Sequence, residues 1–439
     1  MDEYKRLPVV RALVLYAVLL LCCNRSVGYS VLTHEEIVDL LWSEEVRPTL
    51  LKRFPLLSEE QLKEAHGYAY GGAVIQDLGY YPFGSVEFSN LVHYVRTGDF
   101  VCELLLQSQD PNEYAFALGS LAHYVSDVVG HPAINRAVSI EYPKLRSKYG
   151  NSVRYAQNHT AHLKTEFGFD MLQVSKKRYA SQQYHDFIGF QVSTGLLERT
   201  FRTVYGIELT NVLMHEGMAI GSYRFAVSRV IPEMTQIALR THKEDMMKET
   251  PDFAKKTFLY SLSRSEYEKE WGKDYTKPDF GTRAWAAVLR YIPKIGPFKA
   301  LAFKNPTPQT EDMYLKSINT TVNQYRVYLR QVRSGSLKLV NCDFDSGEPT
   351  SAGEYSLADQ TYAKLLAQLA AGKFDLATSD LRHNILAFYA DLRAPVATKK
   401  DTVLWQNVLT NLDQLRLVTS DPALSTPHEA TAISNSVRK

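Results

Sequence analysis

Three polar side chains spaced four residues apart, His123, Asp127 and His131, stand in an otherwise largely apolar stretch of the chain. On an α-helix, side chains at positions i, i+4 and i+8 share one face, so these three groups form a stripe. One histidine and one carboxylate at this spacing are more often a surface ion pair than a ligand set for a metal. The interpretation of the stripe therefore depends on what the rest of the chain places near it.

Helix signals extend through most of the chain. An acid before a proline at 110–111 predicts a helix start, and Pro132 predicts that this helix ends near His131. A second helix is predicted to begin at Thr33, which forms a capping-box pattern with Glu36. The sequence has no alternating strand pattern, and its 23 glycines and 18 prolines are too sparse for a β-sandwich. The predicted fold class is all-α, a multi-helix domain with a helical C-terminal extension.

The length of 439 residues allows two or three domains or one elaborated domain. The predicted division is a signal peptide at 1–28, a helical domain at 29–250, a helical C-terminal region at 251–419 with a polar linker or surface loop at 267–282, and a disordered tail at 420–439. Outside the signal peptide only Cys102 and Cys342 remain, too few for a disulfide framework, and the sequence leaves their pairing open.

Residues 1–28 are typical of a secretory signal. Basic side chains precede or open an apolar run, Ala12–Cys23, which is long enough for a signal-peptide core and too short to span a bilayer. Small residues at Ser26 and Gly28 predict cleavage before Tyr29, and an uncleaved anchor is the alternative. The protein is therefore expected to be secreted or periplasmic.

The charge balance gives no global reason for binding nucleic acid. Residues 1–28 hold four of the 50 basic and two of the 48 acidic side chains, so the remainder of the chain has a formal net charge of zero. A neutral chain lacks the overall electrostatic attraction on which nonspecific nucleic-acid binding depends. A nucleic-acid partner is not expected, and no obligate protein partner is inferred.

Histidines outside the stripe follow a related pattern. His162 and Glu166 repeat the four-residue spacing on another predicted helix, and His34, Asp77 and His93 lie upstream. Imidazole and carboxylate groups without thiolates suit zinc, which takes nitrogen and oxygen ligands. Two such helices in an exported chain favour a zinc site over isolated ion pairs.

Other residues of interest have simpler interpretations. His159 is interpreted as a surface or outer-sphere group, and His66 and His215 as structural, because neither has an acid four residues on. The aromatic residues at 80–83 could line a substrate cleft or pack against a neighbouring loop. The stretch 283–304 mixes apolar and basic residues and could contact a bilayer, although such a stretch is more often a helix packed on its own domain.

Taken together, these positions resemble one family. From Tyr29 to Glu166, the order of histidines and carboxylates is similar to that of the trinuclear zinc phosphodiesterases. This group includes bacterial zinc-dependent phospholipases C, single-strand-specific zinc nucleases and the glycosylphosphatidylinositol-specific phospholipase D. The His-x-x-x-Asp-x-x-x-His spacing at 123–131 and the His-x-x-x-Glu-Phe-Gly-Phe-Asp stretch at 162–170 are most similar to the phospholipase branch. The resemblance covers residues 29–240. Tyr29 stands where the family often has tryptophan, but only main-chain atoms are used there.

The resemblance implies three zinc ions per chain. The implied ligands are Asp77, His93, His123 and Asp127 for the first ion, His131, His162 and Glu166 for the second, and the amino nitrogen and carbonyl of Tyr29, His34 and the other oxygen of Asp127 for the third. The resemblance also implies that a hydroxide shared by the first two ions attacks the phosphorus. Asp77 would orient or deprotonate the attacking water, which makes it the candidate catalytic residue.

The resulting expectation is an exported zinc-dependent phosphodiesterase that hydrolyses phospholipids at a membrane surface in the manner of a phospholipase C. A nuclease on the same scaffold is one alternative, in which Tyr94 would stack on a base. A zinc-binding protein without activity is another, although Asp77 has no evident packing reason to follow two glycines and an alanine. The ligand set is compatible with either phospholipase C or D cleavage. Leu78, which stands where choline-preferring members have an aromatic residue, puts choline specificity in doubt.

Overall fold

The computed structural model describes residues 30–176, 178–180, 185, 188–232, 234–235, 238 and 303–419. The helices of the N-terminal part are α1 (Val31–Leu41), α2 (Arg47–Arg53), α3 (Glu59–Val74), α4 (Val86–Tyr94), α5 (Thr97–Gln107), α6 (Pro111–Glu141), α7 (Pro143–Tyr149), α8 (His159–Ser175), α9 (Thr194–Tyr205), α10 (Leu209–Val212) and α11 (Glu216–Phe225). The helices of the C-terminal part are α12 (Pro308–Ser334), α13 (Ser356–Ala371), α14 (Ser379–Phe388) and α15 (Thr402–Leu417). Short 3-10 or π segments are Trp42–Val46, Ile75–Tyr80, Tyr155–Gln157, Ala226–Val230 and Ala397–Lys400.

This architecture confirms the all-α prediction. Within the described ranges the chain forms helices and no strand, apart from one isolated bridge between Cys342 and Pro349. In the same ranges no helix has the length and apolar character needed to cross a membrane. Several predictions concern residues outside these ranges, namely the signal peptide at 1–28, Tyr29, the boundary at 250/251, the linker at 267–282, nearly all of the stretch 283–304 and the tail at 420–439.

Helix α6 is 31 residues long and is the central element of the fold. It packs most extensively against α3 and α12. Gly72 of α3 and Gly119 of α6 allow close approach, because an added Cβ would lie 1.9 Å from the carbonyl oxygen of Phe116 and 2.0 Å from that of Ala69, respectively. The polar stripe of α6 is thereby held in the interior rather than at the surface.

Helix α6 begins as predicted but ends later than predicted. The Asp110 carboxylate accepts hydrogen bonds from two backbone N–H groups of the first turn. The helix then continues through Pro132, so the predicted end near His131 was wrong. A proline inside a helix removes one backbone hydrogen bond. Ile134 and Val138 are fully buried beyond it, and the burial of these side chains offsets the lost bond.

Helix α1 begins at Val31, so the predicted start at Thr33 was two residues too late. The predicted capping box does not form because both of its residues have distant partners. The Thr33 hydroxyl donates to Asp170 at 2.5 Å, and Glu36 accepts from the backbone N–H of Ala180 at 2.8 Å. These contacts connect the first two turns of α1 to α8 and to the segment that follows α8.

The C-terminal helices share a core with the N-terminal part. Helix α12 lies against α6, and the largest cluster of buried apolar side chains includes residues from α1 through α15. Buried Glu311 of α12 pairs with Lys176 and Arg178, each at 2.8 Å, and Glu45 pairs with Arg333 of α12 at 2.5 Å. The C-terminal region is therefore positioned to contribute to a site built around α6.

Cys102 and Cys342 are both free thiols. Cys102 lies in α5, and Cys342 lies in the loop that follows α12. Burial raises the pKa of both thiols, so both are held in the neutral form at neutral pH. The candidate metal ligands are therefore imidazoles and carboxylates, as the sequence pattern indicates.

Candidate metal centre

Asp127 lies at the centre of a buried histidine cluster. Its Oδ2 is 3.1 Å from Nε2 of His123 and 3.5 Å from Nε2 of His93. Its Oδ1 is 3.5 Å from Nε2 of His34 and 3.7 Å from Nε2 of His131. All five side chains are fully buried. Helices α1, α4 and α6 thus direct four imidazole nitrogens at one carboxylate.

Asp77 lies in the 3-10 segment after α3, beside the same cluster. Its Oδ1 is 3.4 Å from Nε2 of His93, and its side chain is 7% exposed whereas the histidines are fully buried. Asp77, His34 and His123 form one group whose ligand atoms lie within 4.8 Å of one another, and His93, His123 and Asp127 form a second such group. The two groups share His123, so the sites that they define are adjacent.

The spacing and the hydrogen bonding of the cluster fit zinc. Ligand atoms about 2.0–2.2 Å from a tetrahedral zinc ion are roughly 3.3–3.5 Å apart, and the N···O separations around Asp127 range from 3.1 to 3.7 Å. Both oxygens of Asp127 and the Nε2 atoms of His93 and His123 have no hydrogen-bond partner among the described residues. Buried polar atoms without hydrogen bonds destabilise a fold. A cation bound between these atoms would supply the missing interaction.

Contacts on the far side of the rings orient two of the histidines. His123 Nδ1 lies 2.9 Å from the carbonyl oxygen of Ala73, and His93 Nδ1 lies 2.8 Å from that of Ser89. A carbonyl can only accept, so each Nδ1 donates its proton and the neutral ring keeps a lone pair on Nε2. Both rings therefore present Nε2 towards Asp127, and in the neutral ring this atom has the lone pair that a metal ion requires.

Burial and neighbouring charges set the protonation of the cluster. Burial lowers the pKa of His93 and of His131, but their carboxylate neighbours outweigh it and raise these pKa values to about 10 and about 9. Burial alone would raise the pKa of Asp127, but chiefly His123 and His131 hold it well below its ordinary value. Without metal, His93 and His131 therefore carry protons at neutral pH. A bound metal ion must displace those protons.

The predicted second ligand set is only partly brought together. His162 Nδ1 lies 3.3 Å from Oε1 of Glu166, a suitable separation for two ligands of one zinc ion, while its Nε2 lies 2.5 Å from the carbonyl oxygen of Val153. His131 does not complete a group of three with ligand atoms within 4.8 Å in the described part of the chain. Burial raises the pKa of Glu166, and the charge of His131 opposes this shift.

Two members of the predicted third set are adjacent. His34 Nε2 lies 3.5 Å from Oδ1 of Asp127, the oxygen that faces away from His93 and His123. Tyr29 lies outside the described residues, and Ser30 directly precedes α1. The first turn of helix α1 thus places His34 in the candidate metal centre.

The structure thus surrounds one buried carboxylate, Asp127, with four imidazoles that come from three helices. Residues 33–214 match the zinc-dependent phospholipase C family. The match confirms the family predicted from the sequence for this part of the chain, and every predicted ligand from His34 to Glu166 lies within it. No similar curated protein and no similar solved structure was found.

Asp345 lies beyond the matched phospholipase C domain, and the sequence pattern did not indicate it. It is fully buried in the loop after α12, and its Oδ1 lies 3.1 Å from Nδ1 of His131. Its Oδ2 accepts hydrogen bonds from the hydroxyls of Tyr94, at 3.0 Å, and Tyr355. The available sequence signal was the segment 343–347, in which two acids flank an aromatic residue before a Ser-Gly turn.

The residues given simpler interpretations have other partners. His66 Nε2 lies 2.9 Å from Oδ1 of Asp39, which is not one of the predicted ligands. The His159 ring packs on that of Tyr155 with a centroid separation of 4.3 Å. Of the aromatic residues at 80–83, the first is buried, the second is half-buried and the last is 40% exposed. The first two therefore pack against the protein rather than project into solvent.

Proposed function

We propose that this protein is an exported zinc-dependent phosphodiesterase that hydrolyses phospholipids as a phospholipase C does. The products would be a phosphorylated headgroup and diacylglycerol. The observation that carries the proposal is Asp127, one buried carboxylate that faces four imidazole nitrogens and has no hydrogen bond among the described residues. The family match supports a phospholipid substrate and zinc as the cofactor, with three ions per chain proposed.

The side chains of the protein would hold the metal-binding groups in fixed positions for this reaction. Zinc ions bound here would supply a water molecule activated at neutral pH and positive charge opposite the phosphate oxygens. His93 and His123 are held by backbone carbonyls, so their Nε2 atoms need no reorganisation during the reaction. Asp127 faces ligands of more than one set and so fixes the relative positions of those sets. Preorganised charge of this kind stabilises a transition state most strongly in a site that excludes bulk water.

Asp77 is the candidate general base. Among the predicted ligands that the structure describes, Asp77 has the most exposed side chain. Its Oδ1 has no hydrogen-bond partner in the described ranges. Burial raises its pKa above the ordinary value, although His123 opposes the shift. A carboxylate with a raised pKa is a better proton acceptor during turnover. Asp77 would therefore take the proton of the attacking water.

The nuclease alternative loses its specific support. Tyr94, which would stack on a base in that case, is fully buried and donates its hydroxyl proton to Asp345. A stacking platform for single-stranded nucleic acid must be accessible to the base. With a net charge of zero outside residues 1–28 as well, a phospholipid is the better-supported substrate.

Phosphorus NMR of the products from mixed phospholipid vesicles tests the proposal. With zinc-loaded protein, we expect phosphomonoester headgroups to appear. Asp77→Asn should lower turnover by about 10²–10⁴-fold, because it removes the proton acceptor, while the exposed control Asp375→Asn should match the unmutated protein. Phosphatidic acid as the product would show that the protein cleaves the ester bond that a phospholipase D cleaves. The absence of any product would favour a zinc-binding protein without activity.

Export and the third zinc ion are linked in the proposal through Tyr29. Cleavage after Gly28 would create a free amino group, with a reference pKa of about 7.7–8.0 that a nearby zinc ion can readily lower. We expect mass spectrometry of the exported protein to find a start at Tyr29. A version extended by one residue should bind two zinc ions rather than three, because the amine–carbonyl chelate is lost. Three zinc ions in the extended version, or a different natural start, would contradict this.

A further inference from the structure

The loop after α12 covers part of the metal centre. Residues 341–350 are closed by backbone hydrogen bonds across the loop. The backbone N–H of Phe344 donates to the carbonyl oxygen of His93 at 3.2 Å, and the two rings lie 5.2 Å apart. Gly347 has a φ of 76° and lies so close to α6 that a Cβ would be 2.4 Å from the carbonyl oxygen of Val128. The loop is therefore packed directly against helices that carry the predicted ligands.

Asp345 places a carboxylate against the ring of a predicted ligand. One ring nitrogen of His131, Nδ1, lies 3.1 Å from Oδ1 of Asp345, while the other, Nε2, lies 3.7 Å from Oδ1 of Asp127. The imidazole thus stands between two carboxylates. The hydroxyls of Tyr94 and Tyr355 donate to the second oxygen of Asp345 and hold it in place.

We propose that Asp345 is a positioning residue for zinc binding by His131. In this role its carboxylate keeps the imidazole proton on Nδ1 and leaves the lone pair of Nε2 for the metal. His93 and His123 receive the same orientation from backbone carbonyls, whereas Nδ1 of His131 faces a carboxylate. A carboxylate behind a ligand histidine fixes the ring and makes it a stronger ligand. The inference rests on the zinc site of the proposed function but not on its substrate.

One consequence is that the matched domain does not contain all of its own metal centre. Residues 33–214 supply the described predicted ligands, while Asp345 comes from the C-terminal region. The loop is tied to α6 on both sides of His131: Gly347 contacts the turn before it, and the Asn135 side chain donates to the carbonyl oxygen of Asp345 at 2.7 Å. The C-terminal region would therefore act directly on zinc affinity.

Zinc titration of the full chain tests this role. The affinity of each zinc site is measured by competition with a chelating dye in the unmutated protein, in Asp345→Asn and in Asp359→Asn. Asp359 is the matched control, because it is a buried carboxylate of the same region that accepts hydrogen bonds from the backbone N–H groups of Gly353 and Ala397 rather than from a histidine. We expect Asp345→Asn to weaken one zinc site by about 10–100-fold and to leave the other sites unchanged. Asp359→Asn should change no zinc affinity, even if it lowers the melting temperature.

Tyr355→Phe provides a second, milder variant. It removes one hydroxyl that holds Asp345 but leaves both the carboxylate and His131 in place, so we expect a smaller weakening of the same zinc site. The inference is overturned if Asp345→Asn binds zinc as the unmutated protein does, or if Asp359→Asn weakens zinc equally. Should Asp345→Asn fail to fold, an unchanged affinity in Tyr355→Phe would overturn it. Weakened zinc binding in Asp345→Asn, together with an unmutated protein that cleaves no phospholipid, would support the positioning role and reject only the proposed function.

Discussion

Replacing Asp127 by asparagine is expected to abolish phospholipid hydrolysis and to reduce the number of zinc ions bound. The amide keeps one weak oxygen ligand but loses the negative charge that four histidines face. Removing a single group that stabilises charge in a transition state costs about 10²–10³-fold in turnover. Because Asp127 is proposed to serve two ions, we expect a loss greater than about 10³-fold.

His34→Gln is the matched comparison. His34 lies beside one oxygen of Asp127, and the ligand sets implied by the family resemblance assign it to the third zinc site alone. We expect one zinc ion to be lost and turnover to fall less than in Asp127→Asn. Steady-state rates and elemental analysis of bound zinc measure both effects. Equal, modest losses in the two variants would show that Asp127 is not shared between metals.

The helical fold and three of the clustered residues could be predicted because both depend on short-range spacing. Polar groups four residues apart on α6 must share one face, and α6 is the central helix, so His123, Asp127 and His131 all lie in the interior. The family resemblance then indicated which other residues to place beside them. Asp77 and His93 reach the same cluster through different elements, and their own spacing did not predict that proximity.

The details that could not be predicted are those decided by tertiary contacts. Pro132 interrupts the hydrogen-bond pattern of α6 without ending the helix, because buried side chains beyond it continue the core. Thr33 and Glu36 have a capping-box spacing, yet their side chains bond to distant residues instead. Asp345 lies in a loop without helical periodicity, and only folding brings it to His131. Local patterns contain no information on such pairs.

Removing zinc is expected to lower the melting temperature by more than about 10 °C at pH 8. A metal present at 1,000 times its dissociation constant stabilises the folded state by about 4 kcal/mol per site. Two such sites contribute about 8 kcal/mol, and each kcal/mol shifts the melting temperature of a large domain by about 2–4 °C. The structural reason is that zinc would satisfy buried atoms of Asp127, His93 and His123 that otherwise have no hydrogen bond among the described residues.

The size of this shift should depend on pH through His93 and His131. In the metal-free protein their pKa values, about 10 and about 9, lie above the value of about 6.5 for unfolded histidine. Their protonation therefore stabilises the metal-free fold fully below about pH 6.5, and this contribution is lost progressively as the pH rises towards those folded-state values. Zinc must displace the same protons, so its binding strengthens as the pH rises.

Calorimetry at pH 6 and pH 8, with zinc content verified, measures this dependence. The difference in melting temperature between zinc-loaded and zinc-free protein should be larger at pH 8. Asp127→Asn, the control, should respond little to chelation. An unchanged melting temperature after zinc removal, or a gap that narrows as the pH rises, would contradict a zinc cluster built on these histidines.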